Sequence, residues 1–354
     1  MRGAAISSVL LVMFAGCAAQ AALPATERVQ PASPAAVRLV VLGDTGVVDA
    51  EVKTCEPAAT ADEQPEITIG CRAALRAAIK AERADAVLDL GDLVYELGPV
   101  CPDGRLTDAA RRTLDEHVGG LQAGVDSKLV LALGNHDVHH RRGYPAAETC
   151  YLEYARLHPG KIVFPERNFV MDLGVAKVVV LDTNRALAGG LAGQLRAEMR
   201  GDGWLLMAAH HVWRTYGDKH GQRHGEKVAR RLGRDPDLWL NGHAHFLQFG
   251  VYAGAVDASR KVAALTSGAA GKLRPQDECA DPRSGAAGLP ACAAEGELYG
   301  QSRYGYALVE LDADRLRVTF KDVNGAVLFA WERRRGAADG AVVPLDRLAA
   351  TPAP

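Results

Sequence analysis

The chain has 354 residues, 48% of them hydrophobic and 24% charged, an ordinary globular make-up that fills one large core or two small domains. Its formal net charge of -2 gives no reason to expect nucleic acid or an acidic membrane surface as partner.

The chain opens MRGAAISSVLLVMFAGCAAQAA, one early Arg, a short apolar run and then small residues. This reads as a secretory signal over residues 1–23 and is too short for a membrane-spanning helix of about twenty residues. Phe14-Ala15-Gly16-Cys17 resembles a bacterial lipobox, which makes Cys17 a site for lipid attachment; plain cleavage near Ala19-Gln20-Ala21 is the alternative. Either outcome exports the protein, to the periplasm or to a membrane-anchored position. Residues 24–36, PATERVQPASPAA, read as a tether, residues 37–336 as the folded domain and residues 337–354 as a flexible tail.

Setting Cys17 aside leaves six cysteines, Cys55, Cys71, Cys101, Cys150, Cys279 and Cys292. An oxidising compartment suits three disulfides. Nearest-neighbour pairing gives Cys55–Cys71, Cys101–Cys150 and Cys279–Cys292, although spacing does not fix connectivity and free buried thiols are the alternative.

Within the domain, apolar β-branched runs predict strands at Val37–Leu42, Ala86–Leu90, Leu129–Leu133, Lys177–Leu181, Trp204–Ala209 and Leu238–Leu240. Helical patterns fall between several of them, at Arg72–Arg83, Thr107–Val118, Gln194–Arg200 and His224–Leu232. The alternation argues for βα units and a buried sheet. Further on, Phe246–Tyr252, Lys261–Thr266, Tyr304–Leu311, Leu316–Lys321 and Ala326–Trp331 read as an antiparallel second sheet, with a loop over 267–302. The whole fits an α/β domain of two stacked sheets with helices outside.

Five strands end alike. The first runs into Gly43-Asp44-Thr45-Gly46, the second into Gly91-Asp92-Leu93-Val94-Tyr95 and the third into Gly134-Asn135-His136-Asp137. Trp204–Ala209 runs into His210-His211, and Leu238–Leu240 into Asn241-Gly242-His243-Ala244-His245. Ligands of α/β sheets bind beyond the carboxyl ends of strands, so this grammar delivers carboxylates, a phenol, an amide and imidazoles to one edge. Each piece alone is a common turn or cap. The recurrence is what points to a metal site.

In this order the pieces resemble the calcineurin-like metallophosphoesterases, which implies a four-layer α/β/β/α sandwich with two stacked mixed sheets. That superfamily's first motif is Gly-Asp-x-His; here Gly46 stands in the fourth place. Gly-Asp-x-Gly followed by Gly-Asp-x-x-Tyr is similar to the purple acid phosphatases, especially the small single-domain type, as is His243-Ala-His-Phe-Leu-Gln248. The resemblance implies a first metal held by Asp44, Asp92, Tyr95 and His245, and a second held by Asp92, Asn135, His210 and His243, with Asp92 shared. Hard anionic oxygens suit Fe(III), and the amide and imidazoles suit a divalent Fe, Zn or Mn. It also implies hydrolysis of a small phosphorylated substrate, a phosphomonoester, by a hydroxide generated at the metal pair.

His136 is the first candidate for proton transfer or substrate orientation, and His220 resembles a second histidine that the family places by the substrate. Neighbours at a strand end point opposite ways, so only one of His210 and His211 can face the metals; the resemblance implies His210, the family's ligand being followed by the rest of its motif, although Val212-Trp213 comes one residue early here. Asp137 reads as an acceptor behind the ligands. His139, His140, Arg141 and Arg142 form a basic cluster where an Arg could meet phosphate. Two other readings stand beside this one: a phosphodiesterase or nucleotidase of the same fold, and a surface lipoprotein that binds metal without turnover. Oligomeric state is open at this level.

Overall fold

The structure, a computed structural model, describes residues 25–33, 35–47, 69–138, 147–185, 187–215, 222–274 and 296–348. Two eight-stranded sheets stack on each other. The chain starts on the second sheet with β1 (Thr26–Arg28), then builds half of the first with β2 (Ala36–Leu42), β3 (Ala86–Asp89), β4 (Lys128–Leu131) and β5 (Ile162–Val163). These four pair in parallel. Next come β6 (Phe169–Asp172), β7 (Ala176–Leu181), β8 (Trp204–Ala209), β9 (Leu238–Asn241), β10 (Leu247–Ala253), β11 (Lys261–Ser267) and β12 (Glu297–Gln301). They form the second sheet in the order β1-β6-β7-β8-β9-β11-β10-β12. Finally β13 (Gly305–Asp312), β14 (Arg315–Asp322), β15 (Val327–Arg334) and β16 (Ala341–Val342) return to the first sheet, β13 pairing antiparallel with β2.

The alternation of side chains along the central strands explains the layering. Val178 and Val180 of β7, Leu206 and Ala208 of β8, and Leu238 and Leu240 of β9 join the main core with Leu39, Val41 and Leu88 of the first sheet. Their neighbours Val179, Leu181, Leu205, Met207 and Trp239 face the other way. There they pack on Leu195 of helix α5 (Gly189–Glu198) and on Ala229 and Leu232 of α6 (Gln222–Leu232). Each such side chain contributes roughly 1.5–3 kcal/mol on burial. On the first sheet's side, α1 (Ile69–Ala81) contributes Leu75 and Ile79 to the main core, and α2 (Asp108–Leu114) contributes Leu114. Helix α2 is capped by Thr107, whose hydroxyl accepts from the Ala110 amide at 3.1 Å, and it continues through one wide turn, Asp115–Gly119, into α3 (Gly120–Gln122).

Several expectations need correction. The late strands do not form a sheet of their own: β10 and β11 extend the sheet of β7–β9, while β13–β15 extend that of β2–β4. Hydrophobic pattern marks a strand but carries no address for its partner. The tether 24–36 contains β1, which pairs in parallel with β6, Thr26 opposite Val170. The tail from 337 contains β16, paired with Trp331 and Glu332, and a short helix α7 (Leu345–Leu348). Both are short edge pieces held by main-chain bonds, which leave little signature in side-chain pattern. Strands β5, β6 and β12 and helix α4 (Glu148–Leu157) went unpredicted.

Cys101–Cys150 is a disulfide with Cα atoms 5.5 Å apart, tying the segment after β3 to α4. Cys71 is buried in α1; Cys55, Cys279, Cys292 and Cys17 lie outside the described residues. So do His220, the basic cluster 139–142 and the leader. Among the described residues no helix is long and apolar enough to cross a membrane.

Candidate metal centre

The parallel strands of both sheets end at one shared edge. From the first sheet, β2, β3 and β4 lead into Asp44, Asp92 and Asn135; from the second, β8 and β9 lead into His210, His243 and His245. Three of these residues take the left-handed backbone that side chains rarely adopt: Asp44 with φ 61°, Asp92 with φ 55° and His243 with φ 67°. Such a residue costs about 1–3 kcal/mol, so the surroundings must hold it. They do so by hydrogen bonds. The Asp44 amide donates to Gly91 O at 2.8 Å, the His243 amide to Asp44 Oδ2 at 2.8 Å and the Asp92 amide to Asp137 Oδ2 at 2.8 Å.

Each aspartate thereby uses one oxygen for backbone and turns the other to the centre. Asp44 Oδ2 accepts from His243 N, leaving Oδ1; Asp92 Oδ1 accepts from the His136 amide at 2.9 Å, leaving Oδ2. The Tyr95 hydroxyl lies 3.0 Å from both free oxygens and 3.3 Å from His245 Nε2. On the other side of Asp92, His210 Nε2 is 3.4 Å from Asp92 Oδ2, 3.0 Å from Asn135 Oδ1 and 3.1 Å from His243 Nδ1. Two metal-competent groups result, Asp44–Asp92–His245 and Asp92–His210–His243, each with its ligand atoms within 4.8 Å of one another. Asp92 belongs to both.

The donor chemistry fits cations. One phenolic proton cannot serve two carboxylates and an imidazole, and one imidazole proton cannot serve an amide oxygen, a second imidazole and a carboxylate. Burial works against a charge on His210, yet Asp92 raises its pKa to about 9: the site's negative charge draws a proton to the nitrogen where a metal would bind. Burial alone would raise Asp92, but His210 holds it below the ordinary carboxylate range. Burial, then Asp44 and Asp92, push the Tyr95 phenol well up, so ionisation there calls for a strong cation. Burial and the proximity of His210 bring His243 down to about 3, a neutral imidazole free to ligate.

Supports stand behind these groups. The His210 Nδ1 bond to Leu90 O, 3.0 Å, leaves Nε2 for the centre. The neighbouring His211 has its Nδ1 2.8 Å from the Thr183 hydroxyl and its ring centroid 4.9 Å from that of His243. Asp137 accepts from the amides of Asp92, Leu93 and Gly134 and from the Tyr151 hydroxyl, at 2.8, 2.9, 2.7 and 2.6 Å. Burial, and then Asp92, push its pKa up to about 7, while the Tyr151 and Gly134 bonds pull the other way. A Cβ on Gly134 would stand 2.1 Å from Asp92 Oδ1, so only glycine lets these two loops nest.

His136 is half-buried beside the centre, its ring edge-on to Tyr95 with centroids 4.7 Å apart. Its Nδ1 lies 2.7 Å from Glu96 O, an acceptor, so Nδ1 carries a proton and Nε2 is the nitrogen left to face the site.

The sequence profile of the family described as calcineurin-like phosphoesterase matches residues 37–247. The chain belongs to that family. Calcineurin-like phosphoesterases carry out metal-dependent phosphoester hydrolysis on small phosphorylated substrates, and the two clusters sit where such chemistry needs cations. No curated protein matches the chain in sequence. Among solved structures, GAP50, titled the anchor in the inner membrane complex of Plasmodium, is similar with 15% identity and a TM-score of 0.54, over 84% of this chain and 88% of its own. PhoD is similar with 12% identity and a TM-score of 0.53, over 91% of this chain and 73% of its own. These likenesses speak for the fold alone.

Two residues near this phosphoesterase site carry no signal in the sequence. Lys272, on the turn after β11, sets its Nζ 4.0 Å from the centroid of the Tyr95 ring and 2.7 Å from Glu96 Oε1. The Arg274 amide donates to His245 O at 2.9 Å, and its charge lowers His243.

Proposed function

We propose that the chain is an exported phosphomonoesterase of the purple acid phosphatase type, with Asp44, Asp92, Tyr95 and His245 holding Fe(III) and Asp92, Asn135, His210 and His243 holding divalent Fe, Zn or Mn. The observation that carries this reading is the Tyr95 hydroxyl, 3.0 Å from both Asp44 Oδ1 and Asp92 Oδ2, in a chain that has Gly46 where the superfamily's usual motif has a histidine. Two carboxylates and a phenol make a hard oxygen set suited to a trivalent ion. Bound there, a metal pair supplies charge to the phosphoryl oxygens and acidifies a water.

The chain's own residues do the rest. Asp92 sets the spacing between the two groups. His136, oriented by its Nδ1 bond to Glu96 O, presents Nε2 to the leaving oxygen and in its protonated form gives up the Nε2 proton there, returning to the neutral ring. Asp137 and Leu90 fix the loops and the ring that face substrate.

The test is to purify the exported form, quantify its metals, record its visible spectrum and compare mono- and diester hydrolysis. Iron, a phenolate band that Tyr95→Phe abolishes, and preference for monoesters are expected. A colourless, fully metallated enzyme that prefers diesters belongs to the phosphodiesterase reading instead, and one with full metal and no turnover to the binding-protein reading.

A further inference from the structure

Around Tyr95 three side chains lock together. Lys272 places its ammonium 4.0 Å from the ring centroid, on the face of the phenol. The same ammonium pairs with Glu96 Oε1 at 2.7 Å, and Glu96 lends its backbone carbonyl to His136 at 2.7 Å. The Lys272 side chain is only 12% exposed, so its charge is screened far less than that of a surface lysine. An ion pair with Glu96 alone would not require this position, because Glu96 is 68% exposed and reachable from solvent. Placement over the aromatic face is the feature to explain.

We infer that Lys272 is a positioning residue that tunes Tyr95 as a ligand; this rests on the reading of Tyr95 as a phenolate bound to iron. A phenolate spreads its charge into the ring, and a cation over the face stabilises those electrons. They are the electrons the ligand shares with the metal. Lys272 therefore weakens donation from Tyr95, leaves the ferric ion more strongly electrophilic and moves the phenolate-to-iron absorption to shorter wavelength. The Glu96 carboxylate holds the ammonium in place, and its pKa lies below the ordinary range because of that bond to Lys272.

The experiment compares iron-loaded wild type, Lys272→Met and Lys272→Arg by visible absorption, metal content and reduction midpoint. Methionine keeps the length and apolar contact and removes the charge; arginine keeps the charge. In Lys272→Met the band moves to longer wavelength by roughly 10–20 nm, the scale of a desolvated cation–π interaction, and the midpoint falls. Lys272→Arg stays close to wild type, and all three bind iron equally. An unmoved band in a fully loaded Lys272→Met overturns the inference while leaving the Tyr95 assignment intact. So does an equal shift in both variants, which would mark disturbed packing as the cause. A wild-type band that survives Tyr95→Phe overturns the underlying assignment, and the inference with it.

Discussion

The amide of Tyr95 donates to the carbonyl of Gly46 across 3.3 Å, and a Cβ added to Gly46 would stand 2.7 Å from the amide nitrogen of Val94. The loop after β2 and the loop carrying Tyr95 are thus in backbone contact, with no room for a side chain between them. The absent histidine and the present tyrosine are one structural fact. Gly46→Ala must push the Tyr95 loop away. It should cost about 1–3 kcal/mol in urea unfolding and lower iron content in metal analysis. Wild-type stability and iron binding in this variant would mean that the loops are not coupled.

Asp137 shows how the centre is held from behind. Asp137→Asn presents an NH2 group to a cradle built of donors, the amides of Asp92, Leu93 and Gly134, in which only the Tyr151 hydroxyl can turn to accept. The expected cost is about 3 kcal/mol, with metal affinity in a chelator titration lower by about 10–100-fold. Unchanged affinity would remove Asp137 from any role in placing the ligand loops.

For His136, the free Nε2 predicts a dependence on leaving group. His136→Gln keeps the backbone bond to Asp92 Oδ1 and should retain its metals. Its kcat should fall about 100- to 10,000-fold with an alkyl phosphate and much less with an aryl phosphate that departs without a proton. Equal losses on both substrates would argue for a role in binding rather than proton transfer.

Glu297, buried on β12, gives a pH effect away from the centre. Burial raises its pKa from 4.5 to about 7, with partial relief from Gln248. The folded state then holds a proton that the unfolded state has released between these values. Stability is greatest below the lower one and declines as pH rises through the upper, by about 3 kcal/mol in all. Glu297→Gln should flatten this part of the profile, measured by urea unfolding at pH 5 and pH 8. A variant that keeps the wild-type slope would place its origin elsewhere.

The site is legible in the sequence to the extent that strands announce their ends. Asp44, Asp92 and Asn135 each follow an apolar run closed by glycine, and in an α/β sheet such ends share an edge. The pairing of strands into two sheets is not legible, because Leu308 of β13 is as apolar as Leu265 of β11 and nothing local says which neighbour each takes. The same holds for β1, where Thr26-Glu27-Arg28 has no apolar face and exists as a strand only against β6. Lys272 is illegible for another reason: its partner is an aromatic ring on a distant loop, and a lone lysine among Gly271 and Leu273 has no local mark.

The left-handed turns at Asp44, Asp92 and His243 bear on how the centre can be dissected. Alanine scanning would confound two effects at these positions, since it deletes a donor atom and also strains a bend that short amide and acid side chains tolerate. Asparagine keeps the shape of the loop, and what it removes is the charge together with one of the two acceptor oxygens that each carboxylate uses. At residues 44 and 92, the isosteric swap is the cleaner probe of what the chemistry itself requires.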